Sequence, residues 1–147
     1  MRFSIQSSIA LLTVITAAAH LQAQMSACRP ADAVSAEMVA DIRRIATGTD
    51  STTAEHRRLM GIPQVSANQV AYVTDKVVCN KAVPVYNAAT RTLDANTGQE
   101  VQLPSGQLYV VKAGTVYVVW DPVKKAGSYR RYVTLSKRYK VLANTMF

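Results

Sequence analysis

The spacing of hydrophobic and polar residues changes along this chain, from a helical period in its first half to a strand-like alternation near its end. Between residues 32 and 47, apolar side chains recur at intervals of four, four and three, which places them on one face of a helix. These side chains are Val34, Met38, Ile42 and Ile45. Asp32 can cap the helix and Gly48 can end it in a left-handed turn, so we predict a helix over Asp32–Thr47.

A second, shorter helix is predicted over Thr53–Met60. Thr52 and Glu55 have the spacing of a capping box at its start. Gly61, followed by Pro63, can stop it. Both helices are interpreted as structural elements whose apolar side chains belong to the core.

The segment Asp75–Ala89 carries conflicting signals. Asp75 can cap a helix, and an apolar stripe follows at helical spacing. The stripe consists of Val78, Ala82, Val85 and Ala89, and it places Cys79 beside the core. Pro84 lies well inside this segment, where it removes a hydrogen bond and costs about 3 kcal/mol. We predict a helix with a kink or a break near Ala82 to Pro84.

Strand signals begin at Gln69–Thr74, a short run rich in β-branched and aromatic residues, and dominate from Gln107 onward. Four further strands are predicted, over Gln107–Lys112, Thr115–Asp121, Tyr129–Leu135 and Arg138–Leu142. Their short connections favour an antiparallel meander. The first two of the four are apolar on both faces and should be central or covered on both sides, whereas the last two alternate with basic residues and should be half-exposed.

The order of these elements predicts the fold class. Helices come first and the meander follows, which is typical of an α+β fold. We therefore expect N-terminal helices packed on one face of a C-terminal antiparallel β-meander of about four strands. The polar segment Thr90–Gly106 should connect the helices to the meander, either with a small hairpin around Gly98 or as a mobile surface loop.

The first 23 residues have the order of a secretory signal peptide. Arg2 gives a positive start, Ile9–Ala19 is an uncharged apolar run, and a polar stretch with small residues then leads to Cys28. We expect cleavage after Ala23. Cleavage after Ala19 is an alternative. The run is shorter than the roughly 20 residues that a bilayer-spanning helix needs. We expect residues 24–147 to form a single exported domain, periplasmic or extracellular, without a transmembrane segment.

Export gives the two cysteines a simple interpretation. Cys28 and Cys79 should form a disulfide in an oxidising compartment, and this bond would tie the mature N-terminus to the middle of the domain. A second interpretation is that Met25–Cys28 forms a loose lipobox and Cys28 carries a lipid anchor. A catalytic thiol is a third, although a cysteine nucleophile needs a base beside it.

Charge is distributed unevenly in this chain, whose formal net charge is +8. Residues 24–121 carry equal numbers of basic and acidic side chains, whereas 122–147 carry basic side chains and no acid. The basic side chains are Lys124, Lys125, Arg130, Arg131, Lys137, Arg138 and Lys140, interleaved with Tyr129, Tyr132 and Tyr139. Such a surface could bind an anionic polymer, a lipid headgroup or an acidic protein face, with the tyrosines adding stacking contacts. A basic edge that merely prevents aggregation is the alternative interpretation.

Signs of catalysis are sparse in the sequence. His56 is the one histidine left after cleavage, and no metal-binding, cofactor-binding or nucleophile motif accompanies it. We therefore expect no catalytic residue, no metal and no cofactor, and a non-enzymatic protein is favoured. One alternative is a small envelope hydrolase that uses Asp75 or Asp121 near His56. Another is an inhibitor-like module that binds a protein through the loop Thr90–Gly106.

Overall fold

The computed structural model describes residues 27–90, 96, 97, 108–126 and 129–146, without the side chains of 122–126, 129 and 130. The predicted signal peptide and nearly all of the predicted loop Thr90–Gly106 lie outside the described residues. Three helices are described: α1 Ala33–Thr47, α2 Ser51–Met60 and α3 Lys76–Ala89, with a short 3₁₀ turn at Ala67–Gln69. Five strands are described: β1 Val70–Tyr72, β2 Tyr109–Ala113, β3 Val116–Ala126, β4 Tyr129–Leu135 and β5 Val141–Met146.

The strands form one antiparallel sheet in the order β1-β2-β3-β4-β5. The predicted α+β class, with N-terminal helices packed on a C-terminal meander, is confirmed. The sheet has five strands because the segment predicted as Gln69–Thr74 joins its edge as β1. Strand β4 is fourth in this order, and its residues 132–135 are buried, so the expectation that this strand is half-exposed was wrong there.

Helices cover both faces of the sheet, although we expected them on one. Helices α1 and α2 pack with Val111 and Val118 on one face. Helix α3 packs with Val110 and Val119 on the other. Successive residues of a strand point to opposite faces, so the continuous apolar runs of β2 and β3 require a cover on each side. That part of the prediction is confirmed.

Helix α1 begins as predicted and ends differently. The Asp32 carboxylate accepts a hydrogen bond from the Ser35 backbone N–H at 2.8 Å and so caps the helix. Gly48 has φ −63° and is not left-handed. A Cβ at Gly48 would lie 2.3 Å from the Thr53 Oγ1 atom, so glycine is required here by the close approach of the next helix.

Helix α2 starts two residues earlier than predicted. Asp50, and not Thr52, is its cap, since the Asp50 carboxylate accepts hydrogen bonds from the Thr53 backbone N–H at 2.9 Å and the Thr53 hydroxyl at 2.9 Å. Gly61 ends the helix with φ +62°, in the left-handed conformation that glycine adopts most easily.

Helix α3 runs without interruption through Pro84. Asp75 caps it as predicted and accepts hydrogen bonds from the backbone N–H groups of Val77 at 2.8 Å and Val78 at 3.1 Å. The predicted break near Pro84 is absent from this helix. The side chains that α3 buries most completely are Cys79, Ala82 and Tyr86, so the packed face is rotated from the predicted stripe.

The start of the described chain is tied to the sheet and to α3. Cys28 and Cys79 lie at disulfide distance, with their Cα atoms 5.4 Å apart, as bonded cysteines require. The Arg29 N–H donates to the Leu108 carbonyl at 2.9 Å, and the Leu108 N–H donates to the Ala27 carbonyl at 2.8 Å. The start of the described chain is therefore tied to the middle of the domain, at the two cysteines that the sequence predicted to be bonded. A bonded Cys28 has no free thiol to carry a lipid.

None of the helices that the structure describes is both long enough and apolar enough to cross a bilayer.

Candidate functional site

Three of the predicted basic residues lie together in the turn that joins β4 to β5. Lys137, Arg138 and Lys140 are all exposed there. The hydroxyl of Ser136 accepts hydrogen bonds from the backbone N–H groups of Arg138 at 3.2 Å and Lys140 at 3.1 Å. The Ser136 N–H donates to the Lys140 carbonyl at 2.8 Å. These bonds close the turn and hold its three cations on one short loop.

Tyr139 fixes this turn to the body of the sheet. Its φ is +61°, a conformation that bulky side chains rarely adopt, and such a residue persists only where its surroundings hold it. The Tyr139 ring stacks on the ring of Tyr117, with centroids 5.8 Å apart and planes 2° from parallel. The Lys81 Nζ atom lies 5.7 Å from the centroid of Tyr139, within the range of a cation–π contact.

Two lysines from other elements lie beside the same pair of rings. Lys81 comes from α3, and Lys112 of β2 is directly opposite Tyr117 of β3 in the sheet register, which puts both side chains on one face. We call this set the basic-aromatic patch: Lys81, Lys112, Lys137, Arg138 and Lys140 with Tyr117 and Tyr139. Sequence reasoning missed Lys81 and Lys112. A lysine in the otherwise apolar strand β2 was the one signal that could have drawn attention to Lys112.

Burial and one carboxylate affect the electrostatics of the patch. Burial, followed by the neighbouring Tyr117 and the charge of Asp75, raises the pKa of Tyr139 above its ordinary value. Tyr139 therefore stays neutral at physiological pH. Asp75 is the acid near these rings, and its carboxylate is already engaged in capping α3. The described patch is thus strongly positive in sum.

The remaining predicted basic-surface residues do not join this patch in the described structure. Arg131 is half-buried on β4, where its Nη2 atom lies 3.8 Å from the Met146 sulfur. Tyr132 is buried on the opposite face of the sheet, stacked on Trp120 with ring centroids 6.1 Å apart. The side chains of Lys124, Lys125, Tyr129 and Arg130 lie outside the described residues.

Tyr132 belongs to a row of aromatic rings beneath α1. The row crosses four neighbouring strands and consists of Tyr72, Tyr109, Trp120 and Tyr132. The Tyr109 hydroxyl donates to the Asp32 carboxylate at 2.6 Å, and this bond is the main reason that the pKa of Asp32 lies below its ordinary value. Burial, with smaller effects from Tyr109 and Asp32, raises the pKa of Tyr72 to about 12. These contacts are those of a core that anchors the start of α1.

An open groove of about 560 Å³ lies above this anchor, between α1 and β1. Arg43 lies along it and donates hydrogen bonds to the carbonyls of Ala67 at 3.1 Å and Val70 at 3.2 Å. The guanidinium therefore already donates a hydrogen bond to the Val70 carbonyl, which faces away from β2 and which an added strand would need as an acceptor. This contact protects one edge of the sheet from strand addition.

His56 lies in a small cavity on the α1 and α2 side of the sheet. The cavity has a volume of about 220 Å³, and Asp41, Arg44 and Tyr132 also line it. The Asp41 carboxylate accepts a hydrogen bond from Arg44 at 2.8 Å. Neither Asp75 nor Asp121 lines this cavity. The carboxylate that lines this cavity with His56 is therefore Asp41, which the sequence did not single out. The carboxylate of Glu55, the neighbour of His56 in sequence, is paired with Arg58.

Asp121 is buried on the other side of the sheet, where its charge raises the pKa of Tyr86 after the larger effect of burial. Among the described residues, no cluster of three or more histidine, cysteine or acidic side chains is placed to hold a metal ion.

Comparisons with known proteins identified no relative of this chain. A scan of family models found no match to the chain, and searches of curated proteins and of solved structures also found none. The fold and the patch thus define the chain as an α+β domain with a basic surface turn.

Proposed function

We propose that this chain is an exported, non-enzymatic α+β domain that binds an anionic partner through the basic-aromatic patch. The proposal is carried by the position of five exposed cations from three parts of the chain around the stacked pair Tyr117 and Tyr139. Lys81 lies over the ring of Tyr139, Lys112 is opposite Tyr117, and the other three share the turn of Tyr139. Cations held on rigid elements create a local positive potential that attracts and steers anions. Export is supported by the order of residues 1–23 and by the cysteine pair, since disulfides persist in oxidising compartments.

The tyrosines of the patch act as supports in this proposal. Tyr139 has one face against Tyr117 and a lysine over its ring, so it is poorly placed to stack on a base or a sugar. Its hydroxyl stays protonated at neutral pH because its pKa is raised, and it adds no negative charge to the patch. Recognition is accordingly assigned to the ammonium and guanidinium groups, which are matched to phosphate, sulfate and carboxylate.

Retention on immobilised heparin tests this function. We expect retention that falls steeply as salt is raised, because exposed charges are screened within about 10 Å at 0.1 M salt. The variant K137Q/R138Q/K140Q should elute at much lower salt than the parent protein. Unchanged elution of this variant would refute the proposal.

A matched pair of variants separates the patch from net charge. K137Q/K140Q removes two positive charges from the turn. R44Q/R58Q removes two from exposed side chains on α1 and α2, which pair with Asp41 and Glu55. The proposal requires a larger loss of retention in the first pair. Equal losses would mean that overall charge, and not this surface, governs binding.

The hydrolase remains the second candidate, and the cavity at His56 is the observation that favours it. Its carboxylate, Asp41, is engaged by Arg44, which is a poor arrangement for orienting a histidine base. A panel of chromogenic esters and glycosides tests this candidate. Turnover that is lost in H56A and in D41N would replace the binding function by an enzymatic one. The inhibitor-like module rests on the loop Thr90–Gly106, which lies almost entirely outside the described residues.

A further inference from the structure

We propose that the anionic partner is the surface of a lipid bilayer, which the chain contacts with the basic-aromatic patch and with exposed aliphatic side chains beside it. This inference rests on the proposed anion-binding function and names its partner. It starts from a feature that binding of a soluble polyanion does not use: large apolar side chains lie in water next to the cations.

Several exposed large apolar side chains lie near the patch, including Val77, the most exposed of those in the described residues. Met146, which is 50% exposed, lies at the other end of β5 beside Arg131. Val77 is 57% exposed on α3, and Val141 is 46% exposed at the start of β5, directly after Lys140. Leu142, the next residue, is 51% exposed. Isolated exposed apolar side chains are ordinary, but a group of them beside a cluster of cations indicates an interaction surface.

The sheet register places Val141 in the same row as the patch. Lys112 is opposite Tyr117, Tyr117 is opposite Leu135, and Leu135 is opposite Val141. Directly opposite residues of neighbouring strands share a face, so the exposed Lys112, Tyr117 and the buried Leu135 lie on one face of the sheet. The register shifts at Leu135, and Val141 lies at this end of the row, directly after the turn that carries Lys140.

Helix α3 adds a second apolar side chain to this surface. Val77 precedes Lys81 by four residues, which puts both on one side of the helix. Lys81 in turn lies over the ring of Tyr139, so Val77 is brought to the margin of the patch. The same element thus supplies a cation and an aliphatic group to one surface.

Charge complementarity favours an anionic bilayer over other partners for this combination. Lysine and arginine near such a surface are attracted by its negative potential, and their alkyl stems can lie along apolar material while the charge stays in water. Aliphatic side chains gain from entering the boundary between headgroups and acyl chains. A sulfated or carboxylated polymer offers no comparable apolar layer, so it would leave Val77 and Val141 in water.

Rough magnitudes make both contributions measurable. Each lysine or arginine near an anionic membrane strengthens binding by about fivefold. Burying a half-exposed valine strengthens binding by a further factor of about 5.5, hence about 30-fold for the pair Val77 and Val141. The loss of either contribution should be visible in vesicle binding, whereas heparin retention should report the charges alone.

Vesicle co-sedimentation of the full, oxidised protein tests the inference. The probes are vesicles of mixed phosphatidylglycerol and phosphatidylcholine, with pure phosphatidylcholine as the neutral comparison. The test variant is V77S/V141S, and the matched control is V34S/L59S, which replaces two exposed apolar side chains on α1 and α2. Both are checked for a native circular dichroism spectrum and for retention on heparin.

We expect the parent protein and V34S/L59S to bind the anionic vesicles alike and to bind neutral vesicles weakly. V77S/V141S should bind anionic vesicles about 30-fold less tightly and keep its heparin retention. Parent-like vesicle binding by V77S/V141S would overturn the lipid inference while leaving anion binding in place. Equal binding of neutral and anionic vesicles would also overturn it. Failure of the parent protein to bind either heparin or anionic vesicles would remove the proposed function itself.

Discussion

Reduction of the Cys28–Cys79 bond should lower the free energy of unfolding by about 4 kcal/mol. The bond spans 51 positions of the sequence. In the chain-entropy model, a cross-link over that length removes about 14 cal/mol/K of freedom from the unfolded chain, which is about 4 kcal/mol at room temperature. The expected loss is large because a domain of this size is stable by only about 5–15 kcal/mol in total.

The comparison of oxidised and reduced protein isolates the constraint on the unfolded chain. Both cysteines are buried, at 5% and 0% exposure, and reduction keeps both sulfur atoms as thiols that need only move apart to van der Waals contact, so packing changes little. The variant C28A/C79A also loses two buried sulfur atoms and should be less stable than the reduced protein by about 1–2 kcal/mol. The difference in stability between the reduced protein and C28A/C79A therefore measures packing. The difference between the oxidised and the reduced protein measures the cross-link.

Urea denaturation of the three forms, followed by Trp120 fluorescence, checks the argument. The reduced protein should unfold at lower urea with a steeper dependence on urea, because its unfolded chain is more open and exposes more surface. A loss below about 1 kcal/mol at unchanged steepness would refute the reasoning. It would mean that other contacts hold the start of the chain near α3 after the bond is broken.

Three further substitutions test single features of the fold. Y109F should lower the midpoint of urea denaturation at pH 7. The Tyr109 hydroxyl depresses the pKa of Asp32, so its contribution is complete above the unfolded value near 4 and disappears as the pH falls through the folded value; a pH-independent difference between Y109F and the parent would contradict this assignment. P84A should raise the free energy of unfolding by about 2 kcal/mol, because a proline inside a helix costs about 3 kcal/mol and part of that cost is offset in the unfolded chain. A lower melting temperature of P84A in calorimetry would contradict this prediction. G48A should destabilise by about 1–3 kcal/mol, because the new Cβ meets the Thr53 side chain, and an unchanged melting temperature would show that Thr53 yields freely.

Local patterns carried most of the fold prediction. The period of the apolar residues located α1, and the carboxylates of Asp32 and Asp75 marked two helix starts correctly. These signals depend on residues within a turn or two of each other, and so they can be read from the sequence. Gly48 shows where that approach ends. Glycine is needed there because a side chain would collide with Thr53 of the next helix. The left-handed turn that a glycine usually indicates does not form at this position.

The parts of the candidate site that the sequence did not reveal depend on contacts between residues far apart in the chain. Lys81 and Lys112 are far from the basic turn in sequence and reach it only through the packing of α3 and the register of β2 against β3. Tyr132 was expected beside the cations because it is interleaved with them in sequence. The alternation of side chains along β4 sends it to the opposite face, where it stacks on Trp120.

The position of β4 in the sheet also determines which cations can meet a partner. Because β5 follows it at the edge, β4 is enclosed on both sides, and its arginine at position 131 is drawn into contact with the sulfur of Met146. The cations in the turn stay exposed, because the turn lies beyond the last paired residue of β4 and is closed by its own hydrogen bonds to Ser136. The proposed binding surface therefore depends on how strand β4 ends more than on the strand's own residues. Among the described side chains of the basic C-terminal segment, Arg131 is half-buried, whereas Lys137, Arg138 and Lys140 in the turn are exposed.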